Sequence, residues 1–139
     1  MTKKIWNAGE EKGEIRTPFE ILFDYAQRVK EDTEGRIEGV VTENISDSSV
    51  EVVYALYLVV PELRNYSYRL IEVTQQNAFT PYPVIMRLFG TVAGNVVELL
   101  DVPYERFDKE LLKLIDNPLT KIIIQGLYTH IEIKRKYQR

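Results

Sequence analysis

Between residues 50 and 60 the chain is apolar at nearly every position, on both parities. One parity reads Val50, Val52, Tyr54, Leu56, Leu58 and Val60; the other reads Val53, Ala55, Tyr57 and Val59. A glycine-free run of β-branched, aromatic and aliphatic residues predicts a central strand covered on both faces. From Tyr66 the alternation is clearer, and the polar connection Pro61-Glu62-Leu63-Arg64-Asn65 suits a turn between antiparallel neighbours. Upstream, residues 36–45 read as a strand closed by Ser46-Asp47-Ser48-Ser49. Downstream, residues 84–92 and 96–101 flank Gly94-Asn95, a two-residue hairpin signal. Residues 77–83 read as a loop, since Pro81 and Pro83 cannot both serve a ladder. About five strands with mostly short connections predict an antiparallel meander, because parallel pairing needs crossovers of a dozen residues or more.

Helical periods bracket these strands. Thr17-Pro18-Phe19-Glu20 is a capping box with proline at the first helical position, so hydroxyl and carboxylate each satisfy an orphan backbone N–H. Phe19, Leu22, Phe23, Ala26 and Val29 follow on one face, and Gly35 after Thr33-Glu34 suits a left-handed cap. A second stripe, Tyr104, Phe107, Leu111, Leu114 and Ile115, ends at Asn117-Pro118. In residues 119–133, Ile122-Ile123-Ile124 suits a strand. However, Leu119, Ile123, Gly126, Leu127, His130 and Ile131 fit one helical face, and Lys134-Arg135-Lys136 complements a helix C-terminus. Helix is therefore favoured. The expected fold is α+β: an N-terminal helix, a roughly five-stranded, mainly antiparallel meander sheet and two C-terminal helices. Residues 1–16 are expected as an extended N-terminal arm, and residues 17–139 as one domain.

One stretch of the pattern carries a resemblance. The phrase Thr17-Pro18-Phe19-Glu20-Ile21-Leu22 is followed by Thr33-Glu34-Gly35 and a strand. Then comes Leu58-Val59-Val60-Pro61-Glu62-Leu63-Arg64-Asn65-Tyr66-Ser67-Tyr68-Arg69-Leu70. This order resembles a group of small bacterial proteins of unknown function, built as helix, strand, Pro-x-Leu-x-Asn-Tyr-x-Tyr-x-Leu, strands and C-terminal helix. The resemblance spans roughly residues 17–131. It implies a shared fold and carries no activity or catalytic residue.

Composition narrows the chemistry. A chain of 139 residues with 45% hydrophobic content can bury a core without disulfides or structural metal. It has no cysteine, which excludes thiol catalysis, cysteine-ligated zinc and a disulfide framework. A net charge of −3 argues against broad attraction to nucleic acid. The apolar stretch 52–60 is about half of the ~20 residues a membrane helix needs. The N-terminus has no apolar run of signal-peptide length, so a cytoplasmic location is expected.

Catalytic patterns are mostly missing. His130 is the only histidine, and no nucleophile is recognisably paired with it. Ser46, Ser48, Ser49 and Ser67 lie in turns or a hairpin without a Gly-x-Ser-x-Gly elbow, and the scattered glycines form no phosphate loop. Asp101, Glu105 and Asp108 have spacings that converge at the second helix's start, where they favour the helix dipole or, as the alternative, a divalent ion. The charge run Glu10, Glu11 and Glu14 reads as solvated. No cofactor or metal is expected.

Partner-binding candidates are aromatic. Phe79 and Tyr82 sit on a proline-stiffened segment, where contact costs little entropy, or else they fold back over the sheet end. Tyr57 lies on the second parity of the central strand, and Trp6 is placed to dock the arm onto the body or onto a second subunit. The leading functional expectation is a non-enzymatic binding or accessory protein acting through protein–protein contact, as a homodimer or with another protein. A ligand or substrate pocket between sheet and helices is the alternative. Nucleic-acid contact through the basic tail, Lys134 to Arg139, ranks third.

Overall fold

The computed structural model describes residues 15–45, 50–90 and 94–137. In chain order these form α1 (Pro18–Asp32), β1 (Glu38–Ile45), β2 (Val52–Val60), a 3-10 turn (Pro61–Leu63), β3 (Tyr66–Asn77), β4 (Thr80–Phe89), β5 (Val96–Val102), α2 (Tyr104–Ile115) and α3 (Pro118–Tyr137). The five strands make one antiparallel sheet in sequence order. This is the α+β fold with an N-terminal helix, a meander and two C-terminal helices. Among the described residues no helix is long and apolar enough to cross a membrane.

Local chemistry explains both ends of α1 and the start of α3. The Thr17 hydroxyl accepts from the Glu20 N–H at 3.3 Å, and Pro18 opens α1. At the other end Gly35 takes φ +81°, and its N–H donates to Lys30 O at 2.8 Å. Thr33 then ties helix to strand, since its hydroxyl lies 2.8 Å from both Val29 O and Ile37 O and accepts from Ile37 N–H at 3.1 Å. α3 is helical throughout, starting directly after the Asn117 side chain accepts from Leu119 N–H at 2.9 Å.

All three helices lie on one sheet face. α1 crosses β1 and β2, α2 packs near β4, and α3 leans on α2 and the 3-10 turn. Between them and the sheet lies the core: Leu22, Ala26, Ile37, Leu56, Leu58, Val60, Ile71, Val73, Met86, Leu88, Phe107, Leu111 and Ile131. The side of α1 turned inward is Ile21, Leu22, Tyr25 and Ala26. Phe19 and Phe23, expected on that face, instead stack on one another at the flank with centroids 6.1 Å apart, and Phe19 leans on Tyr54. A half-exposed aromatic pair covers its own area there and needs no place in the core.

Two strand expectations need correction. Residues 77–83 are not a loop: β3 turns tightly into β4, with Asn77 opposite Thr80. Pro81 and Pro83 fall in a register shift, since pairing with β3 resumes only at Gln75–Val84. β5 reaches β4 only from Val84 onward, so neither proline owes a ladder hydrogen bond. The Gly94-Asn95 hairpin is also wider than two residues. β4 ends at Phe89, β5 starts at Val96, and Gly90 N–H donates to Asn95 O at 2.7 Å.

The second sheet face has no covering element among the described residues. The expectation that the central strand is covered on both sides is therefore half met, on the helix side. Trp6 and nearly all of the proposed arm lie outside the described residues.

Candidate functional site on the open sheet face

A register fault in β3 builds the chemistry of the open face. In an unbroken strand, residues three apart point to opposite sides. Here Leu56 pairs with Ile71 and Tyr57 with Arg69, leaving Leu70 as an extra residue. Leu70 and Ile71 both turn inward and are buried. The bulge thereby sets Arg69 and Glu72 on the same outer face.

Register then aligns a polar row across four strands. Ala55, Glu72, Arg87 and Glu98 are cross-strand neighbours on β2 to β5, and Tyr57 stands beside Arg69. Arg69 donates to the Tyr57 hydroxyl through Nε at 3.1 Å and Nη2 at 2.9 Å, and through Nη1 to Glu72 at 3.1 Å. Glu72 also accepts from Arg87 Nη1 at 3.1 Å, and Arg87 Nε donates to Glu98 at 2.7 Å. The side chain of Glu72 is only 13% exposed, held between two guanidinium groups. The Tyr57 hydroxyl and then Glu72 raise the pKa of Arg69, and Glu98 and Glu72 raise that of Arg87, so both stay charged.

Apolar side chains flank this row, with the polar Thr42, Asn44 and Thr74 among them. Val53, Tyr57 and Val59 are half-buried, and Ala55 is 4% exposed beneath its longer neighbours. Ile85, Phe89, Val96 and Leu100 extend the apolar area over β4 and β5, and Val40 does so on β1. A shallow recess of ≈ 540 Å³ is lined by Thr42, Glu43, Asn44, Val53, Ala55, Tyr57, Arg69 and Glu72.

The structure separates the aromatic candidates. Tyr57 is part of the open face. Phe79 stands at the β3–β4 turn, 84% exposed, where its N–H donates to the Asn77 side-chain oxygen at 2.8 Å. Tyr82 folds back to the helix side, with its ring 5.3 Å from that of Tyr104 and 5.6 Å from that of Phe107. Its hydroxyl donates to Arg16 O at 2.7 Å, and burial pushes its pKa well up. These three aromatics do not form one site.

The remaining candidates are dispersed. His130, which spacing places on the apolar face of α3 as a packed or solvent-edge residue, is exposed at that edge and borders a recess of ≈ 310 Å³ with Leu63, Tyr66 and Leu127. The buried row is Thr120, Ile123, Leu127 and Ile131, so His130 lies just past its edge. Asp108 accepts from Tyr25 at 3.0 Å, which makes it a tie between α2 and α1. Among the described residues no three His, Cys, Asp or Glu side chains group closely enough to hold a metal ion. Gln75, buried toward the helices, donates to Asn77 O at 2.9 Å, while its Oε1 has no partner among the described residues. The basic tail is partly engaged: Arg135 donates to the Glu62 carboxylate at 2.9 Å and Lys134 to the Glu62 carbonyl.

Sequence reading named Tyr57 but missed Arg69, Glu72, Arg87 and Glu98. The available signal was Leu70-Ile71, two adjacent apolar residues within an alternating strand, flanked by opposite charges. Comparison of the chain with family models, curated proteins and solved structures finds no match.

Proposed function

We propose that this chain is a non-enzymatic binding protein that engages a protein surface through the open face of its sheet. The observation that carries the reading is the Tyr57–Arg69–Glu72–Arg87–Glu98 network, flanked by apolar side chains on a face that none of the described residues covers. Contiguous apolar area of this kind is a mark of interaction surfaces. Tyrosine and arginine are the side chains that most often anchor such contacts. Because the charges are already paired within the face, covering them leaves none without a partner. Rigid strands also hold the contact residues in place, which limits the entropy lost on docking.

The geometry favours broad contact over a small-molecule pocket. In the recess beside Tyr57, Arg69 and Glu72 point at one another instead of converging on open volume. Nucleic-acid binding through the tail is weakened by the clamp of Lys134 and Arg135 onto Glu62. A cytoplasmic setting fits the cysteine-free chain.

Proximity labelling in cells tests the reading. The wild-type chain should mark a reproducible set of proteins, its own copies included. The double variant Tyr57→Asp, Val59→Asp should lose that set while keeping native circular dichroism, and Phe79→Ser should keep it. An unchanged set with the double variant would show that the contact lies elsewhere.

A further inference from the structure

We infer that the partner on this face is a second copy of the same chain, joined face to face about a two-fold axis. The inference rests on the reading of the open face as a docking surface and adds its occupant. What points to a second copy is the order of charge along the network. From β3 outward it runs Arg69 positive, Glu72 negative, Arg87 positive, Glu98 negative. Read backwards, that series carries the opposite sign at every place. A surface with this property is complementary to itself.

Strand register fixes where the axis must lie. An axis between the two facing sheets, parallel to the strands and midway between β3 and β4, sets β3 over the partner's β4 and β2 over the partner's β5. Glu72 then faces the partner's Arg87. Glu98 comes over the partner's Ala55 on β2, and beside it the Arg69 guanidinium leans from β3 toward β2, 5.5 Å from the centroid of the Tyr57 ring. Each of these contacts occurs twice, as a two-fold interface requires. An axis perpendicular to the strands and through the row would instead place Glu72 on Glu72 and Arg87 on Arg87, which repel. Val53, Val59, Ile85 and Phe89 flank the row and supply the apolar contact that the charges only register.

A charge-swap experiment tests this arrangement, read by sedimentation at about 100 μM, where weak pairs associate. The wild-type chain should sediment as a dimer. Glu98→Arg and Arg69→Glu should each weaken self-association at least about tenfold, since each variant opposes like charges twice. Mixed in equal amounts, the two variants should pair with each other, because both facing contacts then join opposite charges. The cysteine-free chain supplies a second readout that needs no charge reversal. Chains carrying Glu72→Cys and Arg87→Cys, which face each other across this axis, should be joined by a short bismaleimide more readily when mixed than when either is alone. A monomeric wild type would overturn the inference while leaving labelling of other proteins through the open face intact. A dimer indifferent to both reversals, or a mixture that does not pair, would overturn it equally.

Discussion

Gly39 and Tyr82 illustrate how single side chains set the distances in this fold. A Cβ on Gly39 would lie 2.6 Å from Ala26 Cα and 2.7 Å from Ala26 O, so α1 rests on β1 at the closest approach a backbone permits. Gly39→Ala should push the helix away and cost about 1–3 kcal/mol, measured by urea denaturation. Tyr82 acts through its hydroxyl, which holds Arg16 O while the ring packs against α2. Tyr82→Phe should cost about 0.5–1.5 kcal/mol near neutral pH. Burial raises the pKa of this phenol, so above the ordinary tyrosine value of about 10 the unfolded chain loses the proton first. The contribution is whole below that pH and declines as pH rises toward the folded-state value. Tyr25, Tyr54 and Tyr68 are shifted in the same direction. Tyr82→Phe should therefore flatten, without abolishing, the alkaline loss of stability followed by denaturation midpoints between about pH 8 and 11.

Among the elements, β2 and the turn after it make contrasting demands. Leu56 and Leu58 are buried beneath the helices, so Leu58→Asp should place an unpaired charge in the core and cost several kcal/mol. A variant melting within a few degrees of wild type would contradict that placement. Glu62, on the 3-10 turn, should matter only locally, because it clamps the last turns of α3 through Arg135 and Lys134. Glu62→Ala should leave the main transition in place and speed hydrogen exchange near residues 131–137. Arg135 holds the Glu62 carboxyl below its usual pKa. That contribution is present above the ordinary glutamate value of about 4.3 and fades as pH falls through the folded value. The elements were legible in sequence wherever periodicity and end signals agreed, as at Thr17-Pro18, Gly35 and Asn117-Pro118. They were misread where register decided the outcome. Pro81 and Pro83 are tolerated only because β5 stops short of them, and Arg69 joins Glu72 only through the Leu70 bulge. Register depends on partners distant in the chain, which local pattern does not encode.

For the whole molecule, the asymmetry of the sheet is the decisive property: three helices lie on one side and none of the described residues covers the other. Two rival covers for the open face, the N-terminal arm and a second copy, make different demands on the chain. The first described residues, Ile15 and Arg16, leave α1 on the helix side, where Tyr82 holds the Arg16 carbonyl and Asp24 takes the Arg16 guanidinium. To reach Tyr57 from there, the arm would have to pass around an edge of the sheet. The charge row needs no such detour, because its complement is already present on every other copy. A chain lacking residues 1–14 should therefore self-associate with a Kd within about threefold of the full chain, which is less than 1 kcal/mol. It should also remain sensitive to Glu98→Arg. If truncation instead strengthened association tenfold or more by sedimentation, the arm would be a competing cover, and the second copy would occupy the face only when the arm is displaced.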